Sequence, residues 1–219
     1  MLIKNNSKLV VTGDSVSDCE RARPVGEGRF GAIGKSYVAF IDAFFKNAYP
    51  ESGIRVVNMG TSGDTVRSIK ERWDSDVLDL KPDWLAVLIG INDVWRQFDT
   101  PLVSEIHVYP VEYEKTLNDL VADTRSKVTG LILMSPFYME TNKNDPMRAK
   151  MDEYGAIVKK IALKHNAVCI DLQAAFDNYL KYYYPATMTW DRIHPDSVGH
   201  MIIARAFLNA VDFDWNRLG

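Results

Sequence analysis

A serine near one end of the chain and an aspartate–histidine pair near the other are the residues best suited to joint chemistry. They are Ser15, in Gly13-Asp14-Ser15, and Asp191 and His194, in Asp191-Arg192-Ile193-His194. A serine hydroxyl attacks an ester efficiently only when a base takes its proton. Imidazole, with an ordinary pKa of about 6.5, suits that task near neutral pH. A carboxylate three residues before the histidine can reach Nδ1–H and fix the tautomer. Gly13 permits a tight turn where a strand ends, so Ser15 heads the next segment with its own N–H free to face an oxyanion. Nucleophile, base and acid together point to acyl transfer by a serine hydrolase.

Two intervening segments offer oxyanion donors. Asn92, in Gly90-Ile91-Asn92-Asp93, carries amide N–H groups where an apolar strand ends, and Gly63, in Gly60-Thr61-Ser62-Gly63, offers a bare backbone N–H after another. Taken singly, each feature has an ordinary reading. Asp14 and Ser15 suit a helix cap, His194 a surface loop, and the glycine segments plain loops. The other histidines compete less well: His200 falls inside the last predicted helix, His165 ends one, and His107 lies in a loop. Asp14, Asp18 and Asp93 are read as turn and hydrogen-bonding residues rather than a metal site, and no metal or cofactor is expected.

The elements that must position these groups alternate. Apolar runs of strand length occur at 8–11, 55–58, 84–89, 131–134 and 168–171. Helical periodicity occurs at 36–48, 65–80, 111–128, 147–165, from 174, and at 196–211. This alternation predicts an α/β fold of three layers: a five-stranded parallel sheet with helices on both faces, in one domain spanning 1–219. Such sheets bind ligands beyond the carboxyl ends of their strands. Ser15 follows the first strand, Gly63 the second and Asn92 the third, so all three fall on that edge.

Composition narrows the function further. The 219 residues are 47% hydrophobic and 25% charged, with a formal net charge of -3 and no basic stripe, which disfavours nucleic acid. The N-terminal residues lack the apolar core of a signal peptide, and no apolar run is long enough to span a membrane. Cys19 and Cys169 read as reduced thiols in a cytoplasmic protein. Gly26-Glu27-Gly28-Arg29-Phe30-Gly31 matches G-x-G-x-x-G but follows no strand end, so it is expected to lie in a long mobile loop, 19–34, beside Ser15. The chain has no G-x-S-x-G elbow, P-loop or H-E-x-x-H.

Aromatic residues flank the chemistry. Trp95 lies three residues past Asn92, Trp190 precedes Asp191, and Tyr182, Tyr183 and Tyr184 lie just upstream. Such rings can pack on a sugar face while Arg96 and Gln97 bind hydroxyls. The competing reading places these rings in the core or at a subunit interface. Phe213-Asp214-Trp215 is a candidate contact in a homo-oligomer.

In order, Gly13-Asp14-Ser15-Val16-Ser17-Asp18, Gly63, Gly90-Ile91-Asn92-Asp93 and Asp191-Arg192-Ile193-His194-Pro195 resemble the blocks of the SGNH (GDSL-type) hydrolase family. Val16 departs from the family's usual leucine. The resemblance covers nearly the whole chain. It implies a flavodoxin-like fold and a Ser15–His194–Asp191 triad, with an oxyanion hole from the N–H groups of Ser15 and Gly63 and the Asn92 side chain. Within the family, residues 19–24, 91–96 and 190–195 look like bacterial intracellular acetylxylan esterases. That narrower likeness implies removal of O-acetyl groups from xylo-oligosaccharides through an acetyl-enzyme. Trp95, Arg96, Tyr184 and Trp190 would meet a small acetylated sugar, with no membrane or nucleic-acid partner. A short-chain acyl esterase, lysophospholipase or thioesterase of the same fold is the alternative, and a non-catalytic sugar-binding module is a further one.

Overall fold

The computed structural model describes residues 1–218. In chain order its main elements are β1 (Lys8–Gly13), α1 (Ser15–Asp18), α2 (Tyr37–Ala48), β2 (Arg55–Asn58), α3 (Val66–Glu71), β3 (Trp84–Leu88), α4 (Ile91–Asp99), α5 (Pro110–Arg125), β4 (Gly130–Met134), α6 (Pro146–Lys164), β5 (Val168–Ile170), α7 (Leu172–Tyr179) and α8 (Ser197–Ala210). The five strands form one sheet in the order β2-β1-β3-β4-β5. Every pairing is parallel, and Gly13 at the end of β1 lies opposite Leu88 at the end of β3. The expected α/β architecture is present. The connection after β1 runs to one side, to β2, and the connection after β3 to the other, to β4, so the crevice expected at such a reversal opens between the ends of β1 and β3, just before Ser15.

Strand alternation divides the core into two halves. Leu9, Val11, Ala86 and Leu88 face a layer built with Ile41 and Phe45 of α2 and Ile203 and Phe207 of α8. Val10, Leu85 and Val87 face the opposite layer with Ile69, Leu117, Val121, Val158 and Ile161. Burying each such side chain contributes roughly 1.5–3 kcal/mol, which makes the sheet a stiff platform for groups at its edge. The helices start where side-chain acceptors stand before apolar runs: Ser36 caps α2, Thr65 caps α3, Asp145 caps α6 and Asp196 caps α8.

Three local differences from the sequence reading bear on the site. The helix expected over 65–80 is two pieces: α3 ends at Glu71, and a π-helical turn covers Asp74–Leu78. Buried Ile69, Trp73 and Val77 are spaced four apart, which drifts around a 3.6-residue helix; the wider turn brings Val77 back toward the sheet. Asn92 lies not in a loop but in the first turn of α4, because Gly90 at φ 129° turns the chain between β3 and the helix.

The segment 19–34, expected to be mobile, is fastened. Ala22 N–H donates to Ala32 O at 2.8 Å, Gly26 and Asn58 exchange backbone bonds at 3.1 and 2.9 Å, and Lys35 N–H reaches Cys19 O at 2.8 Å. Arg21, only 5% exposed, donates to Gly60 O at 2.6 Å and Pro24 O at 2.7 Å. No helix among the described residues is long and apolar enough to cross a membrane.

Candidate active site

Ser15 opens α1. Asp14 caps that short helix by accepting Val16 N–H at 3.0 Å, and Cys19 at φ 33° ends it, so one turn of helix presents the serine at the sheet edge. Ser15 Oγ lies 2.8 Å from Nε2 of His194, 179 positions away in the chain. His194 Nδ1 lies 2.5 Å from Asp191 Oδ2. The ionised Asp191 can only accept, so Nδ1 carries the hydrogen and Nε2 offers its lone pair to the serine hydroxyl.

Asp191 is itself held. Its Oδ1 accepts N–H bonds from Ile193 at 2.9 Å and His194 at 2.8 Å, and the Thr189 hydroxyl at 3.1 Å. Burial works to raise its pKa. The bonds from the His194 backbone and ring and from Ile193 outweigh that, leaving the carboxyl below its ordinary range. Arg192 takes φ 65° between acid and base. Its carbonyl accepts Met139 N–H at 2.9 Å, its guanidinium pairs with Glu140 at 2.6 Å, and Ile193 is buried beneath. The loop after β4 thereby fastens the loop that carries Asp191 and His194.

The oxyanion candidates converge from β2 and β3. Asn92 is 2% exposed and spends one amide N–H on Asp64 O at 2.9 Å, leaving a second for a ligand. Gly63 sits at φ 87° with nothing near the position of a side chain, so its surroundings are open. Gly60 explains how this loop approaches α1: a Cβ there would lie 2.5 Å from Asp18 N. Ser62 N–H and Oγ–H both reach Asp18 Oδ2 at 2.9 Å, the hydrogen-bonding role expected of Asp18.

Sequence reasoning missed Arg72 and Glu140. Arg72 donates to Gly13 O at 3.1 Å, Met59 O at 2.8 Å and Asp64 Oδ2 at 2.6 Å. Neither residue belongs to a motif, and the apolar periodicity runs unbroken through Arg72.

Behind Ser15 and Asn92 lie two buried acids, Asp14 and Asp93, each pushed up to about 7 mainly by burial. Asp93 Oδ1 accepts Val66 N–H at 2.9 Å, while its Oδ2 has no partner. His200 is also buried. Its Nδ1 accepts Tyr37 N–H at 3.2 Å, and burial lowers its pKa to about 4, which makes it a neutral packing residue.

The aromatic candidates divide. Trp95 stands edge-on to His194 at 6.0 Å between ring centroids. Trp190 lies nearly parallel to the same imidazole at 6.3 Å and is 85% exposed. The Arg96 guanidinium lies 4.6 Å over the Trp95 ring, with Nη2 3.4 Å from Asn92 Oδ1. A surface groove of about 540 Å³ runs along Ala186, Met188, Thr189, Trp190 and His194. Tyr184 is exposed but does not line that groove. Gln97, expected to bind hydroxyls, is turned inward, donating to Asp93 O at 2.8 Å and the Tyr154 hydroxyl at 3.1 Å. Phe213 of the C-terminal segment is buried against Phe44, Phe45 and Tyr49 of its own chain.

Residues 11–202 match the GDSL-like Lipase/Acylhydrolase family. The chain is 55% identical over 217 residues to an acetylxylan esterase of Geobacillus stearothermophilus, covering 99% of each. The crystal structure of that organism's acetylxylan esterase Axe2 superposes with a TM-score of 0.97 at 55% identity, over 98% of both chains. Solved structures of Axe2 include catalytic mutants in which a serine, an aspartate and a histidine are each replaced by alanine. LAE5, an alpha/beta hydrolase from the metagenome of Lake Arreo, superposes with a TM-score of 0.96 at 49% identity, over 100% of this chain and 99% of its own. In sequence, fold and block order alike, the chain belongs to the GDSL-like lipase/acylhydrolase family.

Proposed function

We propose that the protein is a serine carbohydrate esterase that removes O-acetyl groups from xylo-oligosaccharides. The observation that carries the chemistry is the unbroken line from Ser15 Oγ through His194 to Asp191, with contacts of 2.8 and 2.5 Å. The substrate class rests on the 55% identity to an acetylxylan esterase and on the indoles of Trp95 and Trp190 beside the base.

His194 Nε2 takes the Ser15 proton as Oγ attacks the acetyl carbonyl. The N–H groups of Ser15 and Gly63 and the free amide N–H of Asn92 receive the oxyanion. His194 then gives its proton to the departing sugar oxygen. Water, deprotonated by the same Nε2, attacks the acetyl-Ser15 carbonyl; the C–Oγ bond breaks, Nε2 returns the proton to Oγ, and acetate leaves. A single domain and a cytoplasmic location complete the reading, the latter supported by free thiols at Cys19 and Cys169. Self-association through the partly exposed Trp215 is the remaining part, and a solution mass equal to one chain would remove it.

The test is acetate release from acetylated xylo-oligosaccharides by wild type and Ser15→Ala, beside p-nitrophenyl acetate and octanoate. Ser15-dependent release from the sugars supports the reading. Preference for octanoate without sugar turnover overturns the substrate class and leaves an acyl esterase or lysophospholipase.

A further inference from the structure

We propose that Arg72 is a positioning residue that sets the spacing of the oxyanion donors, holding the backbone before Ser15 and the loop after β2 in one guanidinium fork. The inference rests on Ser15, Gly63 and Asn92 being those donors.

The three donors come from three different strand ends; past the ladder, Met59 N–H reaches Val11 O at 2.7 Å and Thr61 N–H reaches Gly13 O at 2.9 Å, and side chains make the remaining ties. Arg72 spans two of those ends directly. Its Nη2 donates to Gly13 O, two residues before Ser15, at 3.1 Å. Its Nη1 donates to Met59 O, just past β2, at 2.8 Å, and to Asp76 at 2.8 Å. Its Nε donates to the Asp64 carboxylate at 2.6 Å. Asp64 lies immediately after Gly63, and its carbonyl accepts the Asn92 amide at 2.9 Å, so the third strand end joins through the same residue.

Gly63 therefore sits between two clamps: Asp18 grips Ser62 on one side and Arg72 grips Asp64 on the other. Gly63 has φ 87° with open space where a Cβ would stand, and Asp64 N–H closes the turn around it onto Thr61 O at 3.2 Å. Within that turn the direction of the Gly63 N–H follows from how its flanking residues are held. Arg72 is suited to this because a planar fork makes several bonds in fixed directions, whereas a lysine is one compact charge. The helix changes pitch just beyond Arg72, from α3 to the π turn at Asp74–Leu78, and Asp76 in that turn bonds the guanidinium from behind.

Four proteins test this on p-nitrophenyl acetate: Arg72→Lys, Arg72→Met, Asn92→Ala and Arg72→Lys with Asn92→Ala. KM and kcat are measured separately below each protein's melting temperature. A misplaced donor lowers kcat without weakening ground-state binding, so both Arg72 variants are expected to lose on the order of ten- to a hundredfold in kcat, with KM held within about twofold. The Lys variant keeps the charge beside Asp64 and carries the test if the Met variant does not fold. In the double variant the losses should fall well short of multiplying, because with Asn92 gone part of what Arg72 positions is already absent. Wild-type kcat in Arg72→Lys, or losses that multiply, would overturn the inference. Wild-type kcat in Asn92→Ala would instead overturn the oxyanion reading on which it rests.

Discussion

Asp191 holds His194 at two points with two different oxygens: Oδ2 lies 2.5 Å from the ring Nδ1, and Oδ1 accepts the backbone N–H at 2.8 Å. The carboxylate thus fixes the position of the imidazole and the direction in which its lone pair points. Asp191→Asn keeps an acceptor for the backbone but offers an N–H to Nδ1, which favours the wrong tautomer. The expected loss in kcat is on the order of 10⁴-fold, measured on p-nitrophenyl acetate at neutral pH, with folding retained.

Ser15→Ala removes the attacking oxygen. Its Oγ bonds His194 alone, so the variant should melt within a few degrees of wild type while turnover drops by roughly 10⁴- to 10⁶-fold. A serine-directed fluorophosphonate should label wild type at Ser15 and leave the variant unlabelled, read by mass spectrometry.

Glu140 acts at a distance from the reacting atoms. It pairs with Arg192 at 2.6 Å, with the carboxylate 13% exposed. Glu140→Ala leaves the triad chemistry intact but frees the side chain that helps pin Arg192 at φ 65°. The expected result is a few-fold fall in kcat and a loss of about 1 kcal/mol in stability, measured by urea unfolding.

Stability should depend on pH through the buried acids. Asp14 and Asp93 each rise from 3.8 to about 7, so between about pH 4 and 7 the folded protein binds more protons than the unfolded chain. Stability from these groups is full below about pH 4 and is lost as pH rises through 7. His200 works oppositely: its pKa falls from 6.5 to about 4, so its contribution is full above 6.5 and is lost as pH drops toward 4. Asp93→Asn keeps a neutral group of the same shape. It should flatten the fall in melting temperature between pH 5 and 7, and an unchanged slope would count against a buried proton at Asp93.

Gly60 is a position where size alone matters. Its Cβ would meet Asp18 N at 2.5 Å and Ser17 Cβ at 2.6 Å, both on α1. Gly60→Ala should push the Gly63 loop away from Ser15, costing on the order of 1–3 kcal/mol of stability and, at temperatures where the protein stays folded, about tenfold or more in kcat.

How much of this was legible depended on whether a residue's role is local. The parallel sheet with helices on both faces follows from alternation, and Ser15, Asp191 and His194 stand out because their chemistry and spacing are unusual together. Gly63 and Asn92 could be placed at the strand ends by counting elements, although the helix around Asn92 was hidden because Gly90 makes the turn without a capping signal. Arg72 was invisible for a different reason. Its partners, Gly13, Met59 and Asp64, are backbone and side-chain groups from separate strand ends, and no sequence pattern marks a long-range contact to a carbonyl. Gln97 went the other way: beside Asn92 and Arg96 it looked like a ligand residue, but the helix turns it toward Tyr154. The segment 19–34 looked loose from its glycines, while the bonds that fasten it run to β2 and Gly60.

Trp190 and Trp95 present their rings to the same imidazole, one nearly parallel and one edge-on. Indole emission is sensitive to a cation alongside, and in the proposed mechanism each turnover twice gives and removes a positive charge on that ring. The two tryptophans are therefore a built-in optical gauge of the site. A pre-steady-state trace of intrinsic fluorescence, compared between wild type and a Trp190→Phe variant, would follow the proton between serine and histidine without any dye or label.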